Sequence, residues 1–144
     1  MRVMFDSAQT AFITGATLSQ IEHLVKSGVV VPLAEAPRRG MSRQFSIQGV
    51  IYIAVAMRFV RLGVPVRVAH AVLAGVREDC GAHLVLSYED GVPRCQQLRE
   101  EEAMAALRMA DGCVYINIGR IADRVRQRAA LLPLHDVDPG MVLR

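Results

Sequence analysis

Both ends of one short helix are marked between Thr17 and Gly28, and this constrains the fold more than any other feature. Thr17 and Gln20 have the spacing of a capping box, in which the threonine hydroxyl accepts from the glutamine amide and the glutamine side chain accepts from the threonine amide. Gly28 is a natural stop, because glycine readily adopts the left-handed conformation that ends many helices. The sequence therefore predicts a helix that begins at Leu18 and ends before Gly28.

The apolar and polar residues of this helix fall on opposite faces. A period of 3.6 residues places one apolar stripe toward a core: Leu18, Ile21, Leu24 and Val25. The polar residues that remain face outward: Ser19, Gln20, Glu22, His23 and Lys26. We expect an amphipathic helix with one buried and one solvent-facing side.

A second short helix precedes it. Residues 6–14 can form about two helical turns, with Asp6 or Ser7 as the cap and Gly15 as the end. Two short helices joined by a tight turn make a helix-turn-helix, whose second helix normally lies in the major groove of DNA. The pattern predicts that the helix from Leu18 is a reading helix.

Residues 29–45 are typical of a wing. A β-branched run, a basic stretch with Pro37 and Gly40, and a second short run indicate two strands around a loop. Ser46 caps a helix over 47–62 that is apolar nearly all round, which indicates a central position. Pro65 opens a further helix over 66–78.

The second half has a different texture. It contains a hairpin signal around residues 89–91, a short helix over 100–110, a strand over 113–118 and a helix over 120–132. The fold class is therefore predicted to be mainly α, within α+β. We expect three parts: a winged helix-turn-helix domain in residues 1–78, a small α/β subdomain for dimerisation or partner contact in 79–132, and a flexible tail in 133–144.

Charge is distributed unequally between the two halves. Residues 1–70 contain eight basic and three acidic residues, whereas residues 71–144 contain nine basic and eleven acidic residues. This asymmetry favours contact between the first half and a polyanion. A solvated basic surface without such a role is the alternative, since small basic excesses are common.

Other classes of protein are disfavoured. The three cysteines are widely spaced, so neither a disulfide framework nor a zinc site is indicated. A metal site at Cys80, His83 and His70 would lack a second thiol, and no metal or cofactor is expected. No paired-carboxylate, phosphate-loop or triad pattern indicates an enzyme. The start of the chain does not resemble a signal peptide, and the longest uncharged run, residues 44–57, is too short for a bilayer span. We therefore expect a cytoplasmic, nucleoid-associated protein.

Residues 7–75 resemble the winged helix-turn-helix of the MerR family of bacterial regulators, in order and spacing rather than in one motif. The matching positions are Ala11, Thr14, Gly15, Thr17, Ile21, Gly28, Val29, Val30, Pro32, Arg43, Phe45, Ser46 and the turn over 61–66. The chain departs from the family at Glu22 and His23, where the family usually has Arg and Tyr. The family's long dimerising helix is also missing, because Gly81, Gly91 and Pro93 would break it.

The candidate DNA contacts follow from the motif and the resemblance. Base-edge contacts are assigned to Ser19, Gln20 and His23, although capping could occupy Gln20. Arginines of the wing are assigned to phosphates or the minor groove, and the resemblance places a phosphate contact near Arg61. The complete set is Thr17, Ser19, Gln20, His23, Lys26, Arg38, Arg39, Arg43 and Arg61. An ordinary solvated helix face and loop are the alternatives.

The sequence thus predicts a transcriptional regulator that binds double-stranded DNA as a homodimer, with RNA polymerase or another protein as a further partner. One alternative is an excisionase-like or nucleoid-architectural DNA-binding protein. Another is a protein-interaction adaptor whose winged domain no longer binds DNA. The arginines of 120–132 could make a second DNA contact, but an amphipathic helix packed on the hairpin or on a second subunit is the more frequent case.

Overall fold

The computed structural model describes residues 4–33, 43–77 and 79–132, and within them the chain has a mixed α/β fold. Six helices and two small antiparallel sheets lie in these ranges. The elements are β1 (Met4–Asp6), α1 (Ser7–Thr14), α2 (Leu18–Lys26), β2 (Gln44–Ser46), α3 (Ile47–Arg61), α4 (Val66–Ala74), β3 (His83–Glu89), β4 (Val92–Leu98), α5 (Glu100–Met109), β5 (Val114–Asn117) and α6 (Ile118–Leu131). The expected α+β class is confirmed at this level.

The helix starts lie where capping side chains were predicted. Asp6 caps α1, and its carboxylate accepts from the amide of Gln9 at 2.7 Å. Ser46 caps α3, and its hydroxyl accepts from the amide of Gly49 at 3.0 Å. Each cap satisfies a backbone donor that the first helical turn leaves without a partner, so these starts are set by local chemistry.

Helix α4 ends earlier than expected, at Ala74 rather than at residue 78. The side chain of Gln97 on β4 explains the difference, because it captures the backbone just beyond the helix. Its Oε1 accepts from the amide of Arg77 at 2.9 Å, and its Nε2 donates to the carbonyls of Arg77 and Gly81. A tertiary contact therefore ends the helical run that the sequence pattern would continue.

The first sheet differs from the predicted wing. Strand β2 pairs antiparallel with β1, an N-terminal strand that the sequence did not predict, and Phe5 lies opposite Phe45 with both side chains buried. Residues 29–33 do not form a strand. One backbone hydrogen bond joins them to β2, from the amide of Leu33 to the carbonyl of Gln44 at 2.8 Å. The remainder of the predicted wing lies in 34–42, outside the described residues.

The second sheet has the strand order β4-β3-β5, with all pairs antiparallel. Asp90 and Gly91 connect β3 to β4, and both have positive φ, of 51° and 78°. Two such residues form the tight hairpin turn that twisted strands favour, which confirms the predicted hairpin. Strand β5 leads directly into α6, whose first turn is capped by the side chain of Asn117.

One continuous hydrophobic core joins the two halves of the chain. Helix α3 lies at its centre, as predicted from its apolar surface, with Ile53, Val55 and Phe59 fully buried. Helix α6 packs mainly on α3 and also contacts α1 and β3, with Ile121 and Val125 turned into the core. The expected packing of α6 on the hairpin is thus corrected, because the larger apolar surface belongs to α3. The boundary at residue 78 stays a prediction.

None of the helices in the described ranges is long and apolar enough to cross a membrane.

Candidate nucleic-acid interface

The turn between α1 and α2 is held by local hydrogen bonds. Gly15 ends α1 with a positive φ of 74°, and its amide donates to the carbonyl of Ala11 at 2.9 Å. The hydroxyl of Thr14 donates to the carbonyl of Thr10 at 2.8 Å and accepts from the amide of Ala16 at 3.2 Å. Because Thr14 and Ala16 are buried, the turn fixes the direction in which α2 leaves.

The capping box at the start of α2 is formed in both directions. The amide of Gln20 donates to Thr17 Oγ1 at 3.1 Å, and the amide of Thr17 donates to Gln20 Oε1 at 2.9 Å. A bidentate pair with adenine needs both the oxygen and the nitrogen of a glutamine side chain. With Oε1 engaged in the cap, Gln20 can offer only its NH₂ group to a ligand. Thr17 is likewise engaged as the cap.

One exposed polar face runs along α2. Ser19, Glu22, His23 and Lys26 follow the spacing i, i+3, i+4 and i+7, which places them side by side, and we call them the reading face. Ile21 and Leu24, on the opposite side, are almost fully buried. Ser19, His23 and Lys26 are all solvent-exposed. The polar side of the amphipathic pattern is therefore presented outward, as the sequence predicted.

Leu18 was expected in the buried stripe, but its side chain is 57% exposed. It stands at the first position of α2, and the core that covers this helix begins one turn later, at Ile21. The periodicity of the sequence could not reveal this, because periodicity gives the face but not the length of helix that is covered. The result is an apolar side chain beside the reading face.

Glu22 lies in the middle of the reading face and has two basic neighbours. The guanidinium of Arg43, just before β2, forms an ion pair with Oε2 of Glu22, and Nζ of Lys26 lies 3.7 Å from Oε1. The side chain of Arg43 is only 21% exposed and that of Glu22 is 43% exposed. The contact joins the start of β2 to α2. Arg38 and Arg39, the other predicted wing residues, lie outside the described residues.

Arg61 lies across the turn between α1 and α2. Its Nη2 donates to the carbonyl of Gly15 at 3.3 Å, while the residue stays exposed. This contact joins the end of α3 to the turn that precedes the reading helix. A guanidinium at this place has further N–H groups for a phosphate oxygen beside the start of α2.

The residues weighed as a metal site have other partners. His83 Nδ1 lies 2.6 Å from the hydroxyl of Tyr115, and the two rings are stacked with centroids 5.8 Å apart. The imidazole of His70 lies against Gly28. Within the described residues, no group of three or more His, Cys, Asp or Glu side chains is placed to hold a metal ion.

No protein-family model matches the chain, and no curated protein matches it.

Proposed function

We propose that this protein is a DNA-binding transcriptional regulator with a MerR-like winged helix-turn-helix, in which α2 enters the major groove. The observation that carries the proposal is the reading face: a polar row on a capped helix, opposite a buried apolar side, next to a basic residue that leads into β2. A helix held in this way can approach base edges without losing its own packing. We place the wing before β2, on the backbone or in the minor groove.

The charges around α2 support this role despite the acid on the reading face. A free carboxylate facing DNA would be repelled by the phosphates, but Arg43 and Lys26 both lie next to Glu22. Their charges offset that repulsion. A carboxylate held in the groove can also accept from the N4 amino group of cytosine, which gives Glu22 a possible part in reading sequence.

His23, Ser19 and Leu18 supply different kinds of base contact. The imidazole and the hydroxyl can exchange hydrogen bonds with groove edges, and the exposed leucine offers an apolar surface to the methyl group of thymine. We expect these three side chains to set sequence preference. Lys26 and Arg61 are expected to contact phosphates, which would position the helix without selecting a sequence.

Two-fold symmetry would complete the reading mode. We propose a homodimer that binds a pseudo-palindromic site, with residues 79–132 supplying the dimer or partner contact. A complex with RNA polymerase or another protein would then convert binding into regulation. A binding role of this kind requires neither a cofactor nor a catalytic group.

The proposal is tested by selecting bound duplexes from random DNA with the full-length protein, then measuring affinity for a selected duplex against salt. If a dimer neutralises about six phosphates, log K should fall with log salt at a slope of roughly −5. Ser19→Ala with His23→Ala should reduce discrimination between selected and random duplexes by about tenfold or more. The matched control is Gln127→Ala, an exposed neutral residue on α6. Failure to enrich any sequence, together with a flat salt dependence, would contradict the proposal.

One observation favours a second candidate, a protein-interaction adaptor. The ion pair between Arg43 and Glu22 engages a basic residue that DNA binding would use. Replacing Arg39 and Arg43 by alanine distinguishes the two functions. Loss of duplex binding supports the regulator, whereas a wild type without duplex affinity, and variants that leave its cellular function unchanged, support the adaptor.

A further inference from the structure

A small cavity lies where the end of α1 meets α3 and α6, and four arginine side chains line it. Its volume is about 80 Å³. The arginines are Arg58 and Arg61 from α3, and Arg124 and Arg128 from α6. The other lining residues are Thr14 and the apolar Ile13, Ala54, Ile121 and Val125, so no carboxylate balances the four positive charges within the cavity. We call this site the arginine cavity.

Two of the four arginines are positioned by backbone carbonyls. Arg128 Nη1 donates to the carbonyl of Ile13 at 3.1 Å, and Arg61 Nη2 donates to the carbonyl of Gly15 at 3.3 Å. Both carbonyls belong to the C-terminal end of α1, where the helix dipole attracts cations. Each guanidinium has five N–H donors, and one hydrogen bond leaves donors for a ligand.

The other two arginines have no such commitment. Within the described ranges, neither Arg58 nor Arg124 hydrogen-bonds or forms an ion pair with another residue. Like charges that line one small cavity repel one another, by about 4 kcal/mol for a pair 4 Å apart at an effective dielectric constant near 20. An anion that enters would remove this repulsion and satisfy the remaining donors.

The size and donors of the arginine cavity define the ligand. Liquid water occupies about 30 Å³ per molecule, so the cavity has room for only a few water molecules. This is the scale of one tetrahedral oxyanion and excludes a whole nucleotide. Guanidinium groups match the oxygens of phosphate in bidentate geometry, which makes phosphate the anion that four arginines would recognise best.

We propose that the arginine cavity binds a single phosphate group. Its source could be the backbone of duplex DNA or a free phosphorylated molecule, since the chemistry recognised is the same. The place of the cavity favours the backbone. Arg61 touches Gly15, two residues before the cap of α2, so a strand that runs past the start of the reading helix would bring a phosphodiester there. The assignment to DNA rests on the proposed function, whereas the phosphate site does not.

The first experiment measures thermal unfolding of the full-length protein against inorganic phosphate at constant ionic strength. Phosphate also stabilises proteins non-specifically by exclusion from their surface, so the readout is the difference between variants. We compare wild type with Arg58→Gln/Arg124→Gln and with Arg126→Gln. Arg126 is a matched control, because it lies on α6 beside Asp123 at 3.8 Å and does not line the cavity.

Wild type and Arg126→Gln should show the same saturable rise in Tm, and Arg58→Gln/Arg124→Gln should lose it. A ligand at about 100 times its Kd shifts the folding equilibrium about 100-fold, which a thermal scan resolves easily. The single variant Arg124→Gln changes an exposed residue and serves if the double variant does not fold. Equal stabilisation of wild type and variants by phosphate overturns the proposal, whatever the protein does with DNA.

The second experiment identifies the source by measuring duplex affinity of the same variants against salt. If the cavity holds a backbone phosphate, the double variant should bind more weakly and the slope should fall by about one for each phosphate lost. If duplex binding matches that of Arg126→Gln while the phosphate effect is lost, the site is supported and its ligand is a free phosphorylated molecule. A wild type without duplex binding would contradict the proposed function and leave the phosphate comparison intact.

Discussion

Arg43 is ion-paired with Glu22, a residue twenty-one positions earlier in the chain, and this contact joins the start of β2 to the exposed face of α2. It links the two parts of the molecule that a winged helix-turn-helix would apply to DNA together. It also places an acid where the MerR pattern usually has an arginine. The balance of charge at this point is therefore a direct way to test the proposed function.

Glu22→Gln should strengthen duplex binding. The substitution removes a negative charge from the reading face and leaves Arg43 and Lys26 without the acid beside them, so both can interact more strongly with phosphates. We expect a severalfold lower Kd at low salt and a smaller difference at high salt, measured by fluorescence anisotropy. Stability should change by less than about 1 kcal/mol, because exposed ion pairs contribute little. Weaker binding by this variant would argue against contact between α2 and DNA.

Thr17→Ala should destabilise the fold by about 1 kcal/mol, the usual effect of losing an N-cap side chain. The Thr17 hydroxyl accepts from the amide of Gln20, and alanine cannot replace that acceptor. Urea unfolding gives the free energy. Ser19→Ala is the matched control on the same turn, and as an exposed position it should stay within about 0.5 kcal/mol of wild type. Equal effects at the two positions would contradict the capping box.

Gly81→Ala should destabilise the second sheet strongly. Gly81 has a φ of 107°, and a Cβ there would lie 2.3 Å from the carbonyl oxygen of Leu98, which is backbone and cannot move aside without disturbing β4. We expect a loss of more than about 1 kcal/mol in unfolding free energy, because the native conformation is incompatible with a side chain. Gly112→Ala is the control, since a Cβ at Gly112 meets open space. Similar stability of both variants would show that the approach of Gly81 to β4 is looser than described.

Cys95 should react slowly with thiol reagents. It lines a groove between α4 and the hairpin, and although the residue as a whole is exposed, partial burial raises the pKa of its thiol to about 11 from 9.0. The thiolate is the reactive form, so alkylation near pH 8 should be slower by about tenfold to 100-fold than in the urea-unfolded chain. Peptide mass spectrometry after timed exposure to iodoacetamide measures each site. Cys80, which is exposed, provides the internal comparison.

The alkylation of Cys95 should accelerate as pH rises toward 11, because the folded protein keeps the proton that the unfolded chain releases near pH 9. The same sign means that this thiol lowers stability between pH 9 and 11 and has no effect below that window. Equal rates at Cys95 in folded and unfolded protein near pH 8 would contradict the shielding of this thiol.

Much of the local structure could be predicted, and some of the candidate site. The starts of α1, α2 and α3, the stop at Gly15 and the hairpin turn at Asp90 and Gly91 all follow from side chains within a few residues of the backbone groups they serve. The DNA-contact assignments stay predictions. The sequence also contained the pairs of the arginine cavity, spaced three apart on α3 and four apart on α6, but no local pattern could indicate that the two pairs meet.

The sequence by itself determined where helices begin, where turns form and which face of α2 is polar, because these depend on hydrogen bonds and periodicities that span about four residues. Only the tertiary structure decided the pairing of Phe5 with Phe45, the exposure of Leu18, and the approach of Arg58 to Arg124 across α3 and α6. These relationships join residues far apart in the chain. They are set by how apolar surfaces of different elements fill one core, and the packing partner of each surface is not written in its own segment.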